Sequence, residues 1–133
     1  MSSFNLNLGN TEIKDIPLVP VGEGQFKIES LEVKQGSKDN PNRTSLNIRL
    51  SSLDNPEASD VYAYLSLPLE SDNDKAVTLM NNNLIEFGQA FGVPLSGDVD
   101  AASCVGNIGY ADIKHSEHEG RISAKVKRFI PAR

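Results

Sequence analysis

Apolar and polar residues alternate along most of the chain, a pattern typical of β-strands that bury one face. The alternation predicts five strands, which span residues 25–35, 44–51, 61–67, 103–115 and 121–130. Between the third and fourth strands, apolar residues recur at steps of four and three, which predicts one amphipathic helix. The apolar stripe of this helix consists of Ala76, Met80, Leu84, Phe87 and Phe91.

Capping residues mark the two ends of the predicted helix. The candidate N-caps are Ser71, Asp72 and Asp74. Gly92 followed by Pro94 predicts the C-terminal end, because glycine adopts the left-handed conformation found there and proline cannot continue a helix. The consecutive asparagines 81–83 are poor helix formers, so a kink or a break into two helices is expected.

The first strand changes phase along its length. Phe26 and Ile28 share one parity, whereas Leu31 and Val33 share the other. This slip predicts a β-bulge at Ser30 and Leu31. A bulge bends a strand, and a bent first strand can pair with both of its neighbours in a small closed barrel.

The order of three strands, a helix and two strands indicates the fold class. It is the order of the OB-fold, a mainly β, five-stranded Greek-key barrel (β-β-β-α-β-β), and we assign it to residues 22–133 as one domain. The alternative is an α+β meander with the helix packed on an open sheet. In the last strand, Ile122, Ala124 and Val126 are expected to close the barrel. Arg128 shares their inward parity and is assigned a structural role.

Residues 1–21 are predicted to form an N-terminal arm. Phe4, Leu6 and Leu8 alternate with polar residues as in a short strand, and two later prolines interrupt any regular element before the barrel. Two arrangements stay open. The arm either lies over the body of its own chain or pairs with a second subunit in a homodimer.

Composition is typical of one soluble globular domain. The 133 residues are 38% hydrophobic and 23% charged. No apolar run reaches the length of a membrane span, and the N-terminus lacks the pattern of a secretory signal, so we expect a cytoplasmic protein with no membrane partner. The single cysteine, Cys104, excludes an internal disulfide and fits a reducing compartment.

Charge is segregated along the chain, whose formal net charge is −5. From Asp54 to Asp100 there are nine acids and one base, Lys75, whereas Lys114 to Arg133 contain six bases and two acids. A locally basic surface is therefore compatible with a globally acidic protein. Long-range attraction of a polyanion is expected to be weak.

The basic region coincides with the oligonucleotide-binding surface of an OB barrel, which comprises the outer face of strands two and three and the loops one–two and four–five. The outward residues predicted on that face are Asn47, Arg49, Tyr62 and Tyr64. The loop and the hairpin beside it contribute Lys38, Arg43, Lys114, Arg121, Lys125 and Lys127. Single-stranded nucleic acid requires rings on which bases stack and cations for its phosphates, and this set offers both.

A plainer interpretation of the tyrosines stays open. Aromatic residues favour strands for their own sake, and an arginine beside a tyrosine can be a simple cross-strand pair. The orientation of Tyr110 is also open, since the alternation around it allows a core residue or a third stacking ring.

No motif indicates catalysis or a bound cofactor. The sequence lacks a nucleophile elbow, a phosphate-cradling glycine loop and a HisGluXXHis motif, so we expect a non-enzymatic protein that needs no cofactor. His115 and His118 form a HisXXHis pair, but a zinc site needs further ligands, and a solvated turn is the preferred interpretation.

Three segments, 84–94, 105–120 and 125–131, resemble a group of bacteriophage single-stranded DNA-binding proteins of the OB type. The resemblance extends over residues 22–131, and its most telling motif is the closing strand that ends LysArgPheIlePro after a charged hairpin. It implies sequence-independent binding of single strands, DNA or RNA, in phage DNA replication or recombination in the host cytoplasm. It also implies phage or host replication and recombination proteins as partners.

One feature departs from that family. Its members often carry an acidic C-terminal tail that recruits partners, whereas this sequence ends IleProAlaArg. We expect either that a tail was removed or that this member works without one.

The alternative function is an OB-like protein-interaction or virion-associated module whose basic strand contacts an acidic protein.

Overall fold

The computed structural model describes residues 2–36 and 40–131, and these residues form five strands and two helices. In chain order the elements are β1 (Gly22–Gln35), β2 (Thr44–Ser52), β3 (Val61–Ser66), α1 (Asp74–Phe91), α2 (Ala101–Cys104), β4 (Ile108–His118) and β5 (Arg121–Ile130). The span predicted for the last strand is confirmed at both ends. The alternation of the second and third strands placed each of them to within one residue.

The five strands close into one barrel with the order β1-β2-β3-β5-β4. β1 is shared, because it pairs antiparallel with β4 through residues 22–27 and with β2 through residues 26–35. A register shift between Ile28 and Ser30 supplies the bend that lets one strand serve two neighbours. The five-stranded OB-like barrel and a bulge in β1 are confirmed, the bulge lying just before the predicted position at Ser30 and Leu31. The alternative of an open α+β sheet is wrong.

The core lies inside the barrel and beneath α1. The inward residues of the first three strands are buried as the alternation predicted, and they include Phe26, Ile28, Ile48, Leu50, Val61, Ala63 and Leu65. At one end, Phe87 and Phe91 of α1 pack against Phe129 of β5, with ring centroids 5.1 and 5.9 Å apart. The apolar stripe of α1 therefore closes that end of the barrel.

One glycine allows α1 to approach the sheet closely. A Cβ atom at Gly109 of β4 would collide with the carbonyl oxygen of Ala90 and lie 2.9 Å from the ring of Phe91. Only a residue without a side chain lets the last turn of the helix rest on this strand.

The helix α1 differs from its prediction at the start and in the middle. Its N-cap is Asn73, whose side chain accepts a hydrogen bond from the Ala76 N–H at 2.8 Å, so none of the three expected candidates caps it. The helix continues without a break through the asparagine run, because those residues are exposed while the apolar stripe is held against the barrel. Gly92 ends it in the left-handed conformation with φ 67°, as predicted.

The fourth strand begins five residues later than expected. The short helix α2 occupies part of the predicted strand, and Gly106 turns the chain with φ 95° before β4 begins at Ile108. Ala111 and Ile113 then face the core, whereas Tyr110 lies half-buried on the outer side and Ile108 is 50% exposed. The alternation around Tyr110, which was ambiguous in the sequence, is thus resolved with Ile108 exposed to solvent.

A second bulge changes the parity of β5 near its end. Asp112 pairs with Arg128 and Ile113 with Val126, so Lys127 is an extra residue on this strand. Phe129 consequently points into the core, and Arg128 points outward, where its guanidinium lies 3.7 Å from the Glu86 carboxylate. The inward assignment of Arg128 is therefore wrong.

The β4–β5 hairpin also projects further than expected. Ile122 lies beyond the barrel and is 57% exposed, so its predicted role in closing the barrel is wrong, while Ala124 and Val126 pack against the core. Glu119 and Gly120 form the turn with φ 52° and 79°, the two positive values of a tight hairpin.

The N-terminal segment is tied to the body close to β1. The Ser59 N–H donates to the Pro17 carbonyl at 3.0 Å, and Nε2 of His115 donates to the Val19 carbonyl at 2.7 Å. Val19 is buried, whereas residues 2–16 form no helix or strand. Among the described residues, no helix combines the length and the apolar character needed to cross a membrane.

Candidate nucleic-acid interface

Residues from all five strands form one row around the barrel. Arg49 lies opposite Ser30 on one side and opposite Tyr62 on the other, and Tyr62 in turn pairs with Lys125. Lys125 lies opposite Lys114. We call Ser30, Arg49, Tyr62, Lys125 and Lys114 the central row. Register alone brings together residues that are distant in sequence, because neighbouring strands lie about 4.8 Å apart.

Two tyrosine rings stand on the outer face of β3. Tyr62 is 52% exposed and Tyr64 is 69% exposed, while the residues that alternate with them are buried. Residues two apart on a strand are separated by roughly 7 Å and point the same way. Tyr64 lies opposite Asn47, as Tyr62 lies opposite Arg49. The predicted outward set of strands two and three therefore forms one surface.

Three shallow depressions surround these tyrosines, and both rings line all three. The first, of about 230 Å³, lies between β3, β5 and α1, and its other polar residues are Asn83, Glu86, Lys125, Lys127 and Arg128. The second, of about 200 Å³, faces β1 and β2 with Ser30, Glu32, Asn47 and Arg49. The third, of about 350 Å³, extends towards Leu18, Asp60 and Ser123. The rings are thus ridges with room for planar groups on each side.

The lysines of the central row form a like-charge pair. Lys114 and Lys125 face each other directly across β4 and β5, an arrangement that destabilises a sheet. Both side chains are exposed. In the described part of the chain, neither has a carboxylate within 4.0 Å, and the same holds for Arg121 and Lys127. This edge of the surface therefore carries four cations that form no ion pair with a described acid, although Glu86 and Asp60 line the same depressions as Lys125.

The opposite end of the row is closer to neutral. Nε of Arg49 lies 3.4 Å from an oxygen of Asp60, and Glu32 lies opposite Asn47. The Nε atom itself is buried and makes no hydrogen bond, while the side chain as a whole is 43% exposed. The cations that have no ion-pair partner among the described residues therefore lie on the side of the tyrosines that faces β4 and β5.

Arg43 occupies a different place from the one predicted for it. Its guanidinium binds both carboxylate oxygens of Asp72, at 2.6 and 2.9 Å, and donates to the Leu67 carbonyl at 3.1 Å. This pairing, together with the hydrogen bond from the Leu69 N–H, lowers the pKa of Asp72 to about 2. Only 16% of the Arg43 side chain is exposed. Arg43 joins the start of β2 to the turn before α1 and does not present its charge to a ligand.

Two of the predicted site residues remain, Arg121 and Lys38. Arg121 lies at the tip of the hairpin opposite His118, four residues from Lys125, so it extends the basic edge away from the barrel. Lys38 lies outside the described residues. Arg128 is an exposed cation that the alternation pattern did not place on this surface, and it lines the same depression as Lys127. The sequence signal that could have placed it is Phe129, because burial of that aromatic ring leaves Arg128 facing outward.

Comparisons with known proteins add no assignment to this geometry. No family model matches the chain, and a search of curated proteins found no match either. The likeness to phage single-stranded DNA-binding proteins stays a prediction that rests on the segments named above.

Proposed function

We propose that this protein binds single-stranded nucleic acid without sequence preference. Unpaired bases stack on Tyr62 and Tyr64, and phosphates lie along the unneutralised lysines of β4 and β5. The observation that carries the proposal is the like-charge pair of Lys114 and Lys125 beside Tyr62, because a barrel gains nothing from two facing lysines unless an anion lies over them.

The geometry favours single strands over duplexes. A duplex hides the faces of its bases in its own stack, so it offers the two rings only an edge or a backbone. The phosphates of a single strand can follow the basic edge from Lys125 towards Arg121 while its bases turn to the tyrosines. Stacking accepts any base, because every base has a π-face, and sequence preference is accordingly weak.

Affinity rests on stacking more than on charge. The protein has a net charge of −5, and four cations line the basic edge, namely Lys114, Arg121, Lys125 and Lys127. If all four contact phosphate, the logarithm of the affinity falls with the logarithm of salt concentration with a slope of about −3. A wholly electrostatic binder of the same size would show a steeper dependence.

The biological setting follows the family resemblance. We place the protein among non-enzymatic proteins that protect single-stranded DNA in phage replication or recombination within the host cytoplasm, where replication and recombination proteins of phage or host are its partners. RNA offers the same bases and phosphates, so the proposed surface accepts it as well.

One observation favours a second function, the binding of an acidic protein partner. The hairpin projects beyond the barrel and exposes Ile122, which follows Arg121 in the chain and lies opposite Glu117, and an exposed apolar residue next to a cation suits contact with a partner that has an acidic rim. Such a protein-interaction or virion-associated module does not require the tyrosines.

A titration with fluorescent oligo-dT and with a duplex of equal length, each at two salt concentrations, tests the proposal. We expect tighter binding of the single strand at both concentrations and the shallow salt slope given above. Equal affinity for the duplex would contradict the stacking mechanism. No binding of either at low salt would leave the protein-interaction module as the better assignment.

A further inference from the structure

The N-terminal arm carries apolar side chains that its own chain leaves in solvent. Phe4, Leu6 and Leu8 are 83%, 70% and 60% exposed. They alternate with Ser3, Asn5 and Asn7, so an extended arm presents all three on one side. A row of three exposed apolar residues with strand spacing forms an apolar strip, and such a strip is typical of an interaction site.

The second half of β1 has an open edge. β4 pairs with β1 only through residues 22–27, and Ile28 then exchanges backbone hydrogen bonds with Gly106 and Asn107 at 2.8 and 2.9 Å. From Ser30 to Gln35, no strand within the described ranges lies on that side of β1. These six residues therefore pair with β2 on one side and have no described strand on the other.

The backbone groups at this edge are positioned to receive a strand. The Gly36 N–H donates to the Arg43 carbonyl at 2.8 Å, towards β2. Because hydrogen-bonding direction alternates along a strand, the N–H and C=O groups of Leu31, Val33 and Gln35 point to the open side. An edge of this kind is a template for another extended segment.

An apolar groove of about 340 Å³ borders the same edge. It lies between the second half of β1, α1 and the segment that follows α1, and its apolar residues include Leu31, Val33, Leu46, Leu84, Leu95 and Val99. Val33 is 52% exposed and Leu95 is 54% exposed. The groove continues the inward face of β1, the face that a strand added at the open edge would share.

We propose that the arm of a second copy adds as a strand to residues 30–35 of β1 and inserts its three apolar side chains into this groove. The lengths agree, since residues 3–8 and residues 30–35 both span about 20 Å as strands. The parity agrees as well, because Phe4, Leu6 and Leu8 share one face as Leu31 and Val33 do. The added strand obtains hydrogen bonds from the edge and burial from the groove.

The buried area favours reciprocal exchange between two copies. Burying one such side chain contributes about 1.5–3 kcal/mol, which at about 25 cal/mol per Å² corresponds to roughly 60–120 Å². Three side chains on each of two arms, with an equal area covered on the two grooves, give roughly 700–1,400 Å². Only two arms together approach the ~1,200 Å² of a stable specific interface, and one arm falls short. Reciprocal exchange also covers the open edge of β1 in both copies, since a two-fold symmetric dimer makes the same contact twice.

The oligomeric state of the full chain tests the proposal without any nucleic acid, so its outcome is independent of the proposed function. By light scattering after gel filtration, we expect twice the chain mass of 14.4 kDa. Val33→Asp in the acceptor and the double substitution Phe4→Asp/Leu6→Asp in the arm should each yield monomers with unchanged circular dichroism. The matched control, Leu79→Asp, changes a leucine on α1 that is 56% exposed and should stay dimeric. A monomeric wild-type chain, or dimers that survive both sets of substitutions, would overturn the proposal.

A disulfide trap identifies which arm occupies the groove. In the Leu6→Cys/Val33→Cys variant we expect a covalent dimer on non-reducing gels, whereas Leu6→Cys/Leu79→Cys should give none. Cys104 does not compete, since it is buried. A disulfide closed within one chain would show that the arm folds back on its own barrel, and the second-copy assignment would then be wrong. The absence of any disulfide would reject the groove as the binding site.

Discussion

Replacing Tyr62 with alanine tests the proposed interface most directly. The ring is 52% exposed and stands between Arg49 and Lys125 in the central row. One base stacked on such a ring contributes about 1–3 kcal/mol, so its loss should weaken binding of oligo-dT by roughly 5- to 150-fold. The fold should hardly change, because the cross-strand contacts that are lost contribute only about 0.2–1 kcal/mol and the neighbouring Val61 and Ala63 keep the strand in the core.

The protein suits a direct optical assay for this substitution. It contains no tryptophan and three tyrosines, two of them in the proposed interface, so stacked bases should quench its intrinsic fluorescence. Anisotropy of labelled oligo-dT gives the affinity independently, and thermal unfolding measures the stability. Tyr62→Phe keeps the ring and should bind like the wild type. Leu79→Ala removes a similarly exposed side chain on α1 and serves as the matched control.

Two results would refute this reasoning in different ways. If Tyr62→Ala and Tyr64→Ala both bind oligo-dT within twofold of the wild type, the outer face of β3 is not the binding surface. If Tyr62→Phe binds as weakly as Tyr62→Ala, the phenol hydroxyl and not the ring face makes the contact, and the stacking mechanism is wrong.

Three further predictions concern charge, the loop clamp and the helix contact. The substitutions Lys114→Ala and Lys125→Ala should each reduce the slope of log affinity against log salt concentration by about 0.7 without lowering the melting temperature. Lys75→Ala, which removes an exposed lysine of α1, should leave that slope unchanged. An unaltered slope in all three variants would remove Lys114 and Lys125 from the interface. Arg43→Ala should lower the melting temperature at pH 7 but leave oligo-dT affinity intact, and a loss of affinity at full stability would return Arg43 to the binding surface. The pairing with Arg43 and the hydrogen bond from the Leu69 N–H lower the pKa of Asp72 from 3.8 to about 2, so their stabilising contribution is present above pH 3.8 and is lost as the pH falls towards 2. Acid titration of Arg43→Ala should show a smaller loss, because only the hydrogen bond from Leu69 remains. Gly109→Ala should lower the free energy of unfolding in urea by about 1–3 kcal/mol, because the added methyl group meets the Ala90 carbonyl. Gly9→Ala should be neutral, because an added Cβ there has no atom within 4 Å. Equal stability of the two variants would show that α1 shifts freely on the sheet.

The strand alternation predicted the outer face on which the proposed interface lies as well as the fold. It placed Tyr62 and Tyr64 on the outer face and their neighbours in the core, since side chains along a strand point to alternate sides whatever the strand pairs with. The same rule failed at Arg128 and Ile122. A bulge opposite Asp112 reversed the parity of the first, and the second lies on the part of the hairpin that extends beyond the barrel.

The assignment of Arg43 failed for a different reason. A cation in a polar loop looks available from sequence, and its partner Asp72 is 29 residues away in the turn before α1. The same carboxylate was among the expected helix caps, a role that Asn73 fills instead. Both errors concern Asp72. From sequence its carboxylate could cap α1 or pair with a distant cation, and only the folded chain brings Arg43 within reach of it.

The sequence by itself determined the order of the five strands and α1, the presence of a bulge in β1, the inward and outward faces of the first three strands and the end of α1. These features depend on the chemistry of neighbouring residues, which the chain carries wherever it folds. Tertiary structure alone decided that Lys114 faces Lys125 beside Tyr62, that Arg43 is occupied, and that residues 30–35 have an open edge. Each of these depends on register between distant strands, and register is fixed by the closure of the whole barrel rather than by any single segment.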